Sequence, residues 1–296
     1  MSDYVEIETQ ELQINRQYRT ARAYRSMLNC FVAFNKGDDI LLSKIDNAMV
    51  KRFEMFLKKE GKSLNTISFY IRNLRAVYNK ACKELLVPRP VANPFDNTFI
   101  GIERTTKRAV QEHIIKKIAN LDLKHDAGLE FAQQLFMFSF YARGMSFVDI
   151  AYLKKKNIKD GHIAYRRHKT GQLLKIRLTD KIISIIKRNE SKTEGSEYLL
   201  PIILSKKIED RLQYESALRT YNNRLAKISI LLGLDNILTS YVARHSWATI
   251  AKNKNIPLPV ISESLGHNSV QTTQIYLASF NSATLHKANM KVISSI

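Results

Sequence analysis

Tyr241-Val242-Ala243-Arg244-His245-Ser246-Trp247-Ala248-Thr249, then Leu265-Gly266-His267-Asn268-Ser269, then Thr273-Gln274-Ile275-Tyr276, is the stretch on which the reading of this chain turns. Ala243 and Trp247 around Arg244 imply burial, and a buried arginine is almost always paired. Tyr276 follows His267 by nine residues. Taken singly, His267 reads as a helix cap and Tyr276 as a half-buried tyrosine.

Upstream, the periodicity changes. From Gly161 to Leu178 the pattern is that of two strands around a Thr170-Gly171 turn, a basic hairpin carrying Arg166, Arg167 and Lys169. Arg166 and Arg167 are candidate DNA contacts. Further upstream, helical patterns run from Gln111 to Asn120 and from Leu129 to Phe140, and beyond Asp180 the chain returns to helix.

These separate boxes, in this order, resemble the tyrosine recombinase (phage integrase) family. Its signature is an early arginine, a hairpin lysine, an H-x-x-R box followed by H-[ST]-x-A-[ST], a leucine-glycine-histidine box and a tyrosine nine residues later. The resemblance is strong over 108–296. It implies that Tyr276 attacks a scissile phosphate to give a 3′-phosphotyrosyl bond and a free 5′-hydroxyl. Arg244 would hold the non-bridging oxygens, Lys169 would protonate the leaving oxygen, and His267 would hydrogen-bond the phosphate or take the tyrosine proton. No metal or other cofactor is implied, because arginines supply the positive charge.

Two positions depart from the pattern. Tyr241 stands where the box begins with histidine; it can donate a hydrogen bond but is not an imidazole base. Aligning G-[LM]-R-x-x-E with Gly144-Met145-Ser146-Phe147-Val148-Asp149 puts Ser146 at the expected arginine and Asp149 at the supporting acid. Arg143, three residues earlier, is the nearest substitute; on a helix it would sit one turn away on the same face.

The first hundred residues read as short helices. Between Asn15 and Phe34, Tyr24, Met27, Leu28 and Phe31 form an apolar stripe with Arg22 and Arg25 on its flank. Asp46 caps a second helix that buries Met49, Val50, Phe53 and Leu57. Ser63 caps a third whose stripe runs Leu64, Ile67, Ile71, Leu74, Tyr78, Ala81 and Leu85, leaving Arg72 and Arg75 off it as candidate phosphate contacts. Pro88, Pro90 and Pro94 break the pattern around 88–106. The resemblance implies a mainly α protein: an N-terminal helical core-binding (SAM-like) domain at 1–95 and a linker at 96–107. A mostly α catalytic domain with a small antiparallel sheet follows at 108–296, ending in a tail helix.

Composition agrees. The chain has 296 residues and 47 Lys+Arg against 27 Asp+Glu, a net +20. Residues 1–100 hold 16 basic and 11 acidic side chains, and 101–296 hold 31 and 16, so both parts favour a polyanion. The most apolar run, Leu135 to Ala142, falls far short of the roughly 20 residues of a membrane span. The acidic N-terminus lacks a signal-peptide pattern, so a cytoplasmic location is expected. Cys30 and Cys82 read as reduced packing residues.

The partners expected are double-stranded DNA and further copies of the chain, a tetramer on two DNA sites, with no membrane and with accessory proteins left open. The short N-terminal region resembles compact Xer- or invertase-like members. DNA inversion or mobile-element integration and excision come first, and Xer-like chromosome-dimer resolution is the alternative. From other classes, a catalytically inactive DNA-binding protein and a type IB topoisomerase stand as rivals.

Overall fold

The structure is a computed structural model and describes residues 1–88, 90, 92–101, 103, 109–276 (for 275 and 276 the backbone alone), 289–290 and 293–294. The chain forms two compact units, Met1–Thr105 and Thr106–Ile296.

The first unit packs four helices: α1 (Ser2–Ile14), α2 (Tyr18–Phe34), α3 (Asn47–Lys59) and α4 (Leu64–Lys83). Both expected caps are present. The Asp46 carboxylate accepts from the Met49 N–H at 2.7 Å, and Ser63 Oγ accepts from the Thr66 N–H at 3.3 Å, satisfying donors that a helix start leaves orphaned. The apolar stripes meet in a core where Phe31 and Phe53 contact edge to face at 4.9 Å. Phe95 is buried against Tyr78, and Asn47 donates to the Pro94 and Asp96 carbonyls, so the chain beyond the prolines stays attached to this unit.

Two local expectations change. Leu85 is 90% exposed in a left-handed turn beyond α4, so the buried stripe ends at Ala81 and Cys82. Helix α1 carries no strong apolar stripe and buries only Val5, Glu8 and Thr9. Met1 and Val5 join the core, and ion pairs run from Glu6 to Arg25 and from Glu8 to Lys80.

The second unit contains α5 (Glu112–Asn120), α6 (Ala127–Tyr141), α7 (Phe147–Ala151), β1 (Ile158–Lys159), β2 (His162–Arg166) and β3 (Leu173–Arg177). It continues with α8 (Asp180–Arg188), α9 (Asp210–Leu231), α10 (Val242–Asn253), α11 (Leu258–Leu265) and α12 (Val270–Tyr276). The sheet is antiparallel in the order β1-β2-β3, with Ile163 opposite Ile176 and Tyr165 opposite Leu174. Those four side chains face the core while their neighbours face out, the two-residue period of a half-buried strand. Helix α6 is buried along most of its length and packs on α9 and α10. Most of the expected tail helix, 277–288, lies outside the described residues. Among the described residues, no helix is long and apolar enough to cross a membrane.

Candidate active site

Three chain segments of the second unit converge: the α6–α7 turn, the β2–β3 hairpin and the α10–α12 region. Arg244, the third residue of α10, is 2% exposed. Its Nη1 donates to the Gly144 carbonyl at 2.8 Å and its Nη2 to the Leu265 carbonyl at 2.5 Å. The same Nη2 lies 3.1 Å from His267 Nε2.

Two left-handed glycines make this possible. Gly144 (φ +72°) passes so close beneath Arg244 that a Cβ there would lie 2.8 Å from the Arg244 Cα. Gly266 (φ +63°) ends α11 and turns the chain into His267. A Cβ on Gly266 would meet Leu174 Cδ1 at 3.0 Å and Arg167 Cδ at 3.1 Å, so the hairpin also reaches this point.

His267 is held from both sides. Nδ1 lies 2.8 Å from Thr273 Oγ1 in α12, and Thr273 is fully buried. A guanidinium can only donate, so Nε2 is the acceptor and the proton sits on Nδ1, facing the threonine. Burial, and then the fields of Arg244, Arg167 and Lys169, push the imidazole pKa down to about 4. The histidine is therefore neutral at pH 7. Tyr276 is the last residue of α12, three positions beyond Thr273; its side chain lies outside the described part of the structure.

Lys169 is exposed in the loop joining β2 and β3, which closes through hydrogen bonds between Arg167 and both Gly171 and Gln172. The preceding residue anchors the loop. The His168 N–H donates to Asp149 Oδ1 at 2.7 Å, and its ring stacks on Tyr152 at 5.1 Å. Asp149 is buried, and its other oxygen accepts from Ser146 Oγ at 2.6 Å. The serine and acid of the altered box thus form a latch that ties α7 to the lysine loop.

Several sequence expectations are revised here. Arg143 is not on a helix: α6 ends at Tyr141, and Arg143 itself is left-handed (φ +56°), half-buried in the turn before Gly144. Arg167, expected on an open basic hairpin, is instead 6% exposed and donates to the Gly266 carbonyl at 2.5 Å. The strand alternation carries the signal, since Ile163, Tyr165 and Arg167 share the inward parity. Arg166 faces out, with a 3.2 Å bond to the Gly171 carbonyl. Buried Tyr165 has a raised pKa, through burial first and then the Asp149 charge, while Arg244, Arg167 and Arg143 act against the shift. Tyr241 is 43% exposed at the start of α10, its ring 6.2 Å from that of His245. Thr273 and the Leu265 and Gly266 carbonyls are the parts that the reading of motifs missed.

In the first unit, Arg22, Arg25, Ser26, Asn29, Cys30 and Tyr70 line a shallow concavity on α2 and α4. Arg22 and Arg72 are exposed and Arg75 is half-buried. Arg25 bonds to Glu6 at 2.8 Å, which offsets part of its charge.

The chain matches the phage integrase SAM-like domain over residues 1–98 and the phage integrase family over residues 107–282. A similar protein is the tyrosine recombinase XerA of Pyrococcus furiosus, 24% identical over 233 residues that cover 76% of this chain and 73% of that protein. Among solved structures, the Tn1549 transposon integrase in complex with transposon right end DNA superposes with a TM-score of 0.67 at 13% identity, over 98% of this chain and 99% of that one. A lambda integrase tetramer bound to a Holliday junction gives a TM-score of 0.61 at 16% identity, over 87% of this chain and 72% of that one. At these identities the structural likeness is one of fold.

Proposed function

Because this chain belongs to the phage integrase family of tyrosine recombinases, enzymes that cleave and rejoin DNA in site-specific recombination, we propose that Tyr276 is its nucleophile and that Arg244, His267 and Lys169 complete the reaction. The observation that carries this is the Arg244–His267 pair. A buried guanidinium is fixed by the Gly144 and Leu265 carbonyls with one N–H on a neutral imidazole nitrogen, at the start of the segment that ends in Tyr276.

The chemistry follows. A scissile phosphate oxygen accepts the Arg244 Nη2–H in place of His267, which frees Nε2 to take the phenolic proton. The Tyr276 oxygen bonds to phosphorus, the bond from phosphorus to the 5′-oxygen breaks, and Lys169 gives that oxygen a proton. Charge growing on the non-bridging oxygens meets donors already in place, which is worth about 2.7–4 kcal/mol per donor at the transition state. Religation reverses these steps, and the phosphotyrosine retains the bond energy. Arg143, in the turn before Gly144, would add positive charge near the scissile phosphate. Tyr241, exposed at the start of α10, offers a hydroxyl where the family has an imidazole.

Arg22, Arg25, Arg72, Arg75 and Arg166 would hold duplex DNA through its phosphates. The lambda integrase tetramer supports a tetramer on two DNA sites. We assign the protein to the cytoplasm and to DNA inversion or mobile-element integration and excision, because Tyr241 and Ser146 depart from the Xer pattern; chromosome-dimer resolution is the second reading. Sequencing of DNA covalently bound to the protein in its native cells tests this. One recurrent site flanked by inverted half-sites is expected. Adducts scattered without sequence preference would point to a topoisomerase, and none at all to a DNA-binding protein without chemistry.

A further inference from the structure

The transition state of this reaction spreads negative charge over two non-bridging oxygens, and Arg244 accounts for one guanidinium. The position where the family pattern expects the other holds Ser146, whose hydroxyl is engaged by Asp149. Arg167 meets the requirement from another element.

It is 6% exposed, and no carboxylate stands within ion-pair distance of it among the described residues. A buried cation without a counter-charge is costly unless an anion arrives. Its Nη1 bonds to the Gly266 carbonyl, while Arg244 Nη2 bonds to the carbonyl of the preceding Leu265. The two guanidiniums therefore hang from consecutive carbonyls, and His267 is the next residue. Arg167 Nε is buried with no acceptor among the described residues, a donor left to be satisfied. Lys169 lies two residues along the same loop, so a DNA backbone that reaches one comes near the other.

We infer that Arg167 is a catalytic residue that supplies the second guanidinium on the scissile phosphate, the role that Ser146 cannot fill. Its N–H groups donate hydrogen bonds to a non-bridging oxygen and give up no proton. The inference rests on the Tyr276 reading above, and its test separates the two.

The probe is a nicked synthetic duplex of the cleavage site found by adduct sequencing, made with either a normal scissile phosphate or a methylphosphonate, which lacks the negative charge. Covalent adduct formation by the full-length wild type, Arg167→Lys and Arg143→Ala is timed on both. On the phosphate, Arg167→Lys is expected to be slower by about 100-fold or more; on the neutral methylphosphonate it should come within about threefold of wild type. An equal loss on both probes marks a structural staple and overturns the inference, as does a charge-specific defect in Arg143→Ala with none in Arg167→Lys. A rate for Arg167→Lys near wild type on the phosphate overturns it as well. If the wild type forms no adduct on the phosphate, the Tyr276 reading falls and this one with it.

Discussion

Replacing Thr273 with Val tests whether the state of His267 is built into the fold. The two side chains have nearly the same shape, so the fully buried site stays filled while the hydroxyl 2.8 Å from His267 Nδ1 disappears. The Nδ1–H then loses this acceptor, at a cost of about 1–3 kcal/mol. Moving the proton to Nε2 does not relieve this, because Nε2 would then face the Arg244 Nη2–H, donor against donor, across 3.1 Å. Either outcome disturbs the pair that receives the phosphate. The loss corresponds to roughly 5- to 150-fold slower cleavage. Single-turnover adduct formation on a nicked duplex measures it, and imidazole nitrogen chemical shifts report the tautomer. Thr273→Ser, which retains the hydroxyl, should stay within about threefold of wild type. Valine at full rate with the Nδ1–H tautomer retained would refute the reasoning.

Further consequences can be checked separately. Gly144→Ala places a methyl group against the Arg244 backbone and forces a non-glycine into a left-handed conformation costing about 1–2 kcal/mol; melting temperature should fall and adduct formation should drop by more than about tenfold. His267, with its pKa near 4 rather than its ordinary 6.5, takes up a proton more readily in the unfolded chain. Its contribution to stability is therefore complete above about pH 6.5 and lost as pH falls toward 4, so wild type should lose more stability than His267→Gln between pH 7 and pH 5 by chemical denaturation. Binding carried by phosphate contacts should weaken steeply as salt is raised, while cleavage within a formed complex changes little; titration at several salt concentrations, followed by single-turnover cleavage, separates the two.

What the sequence revealed followed from local rules. The caps at Asp46 and Ser63 and the hairpin depend on neighbours within a few residues, and those elements stand where the pattern placed them. Helix α1 is hard to see in the sequence because it buries only Val5, Glu8 and Thr9, too few apolar positions to make a periodic stripe. Arg143 was misplaced because the left-handed turn at 143–144 is dictated by the close approach of Arg244, a hundred residues away. Arg167 is buried although its charge suggests the surface, and the alternation of Ile163 and Tyr165 already placed it inside. Main-chain carbonyls such as those of Leu265 and Gly266 have no residue identity, so no motif could announce them.

The most direct test is the identity of the DNA-linked residue. Wild-type protein trapped on a nicked duplex of its cleavage site, digested with protease and nuclease, should yield one peptide carrying a nucleotide through its 3′-phosphate on Tyr276. Tyr276→Phe should bind the same duplex and form no adduct. A nucleotide on another residue, or an undiminished adduct with the phenylalanine variant, would contradict the account.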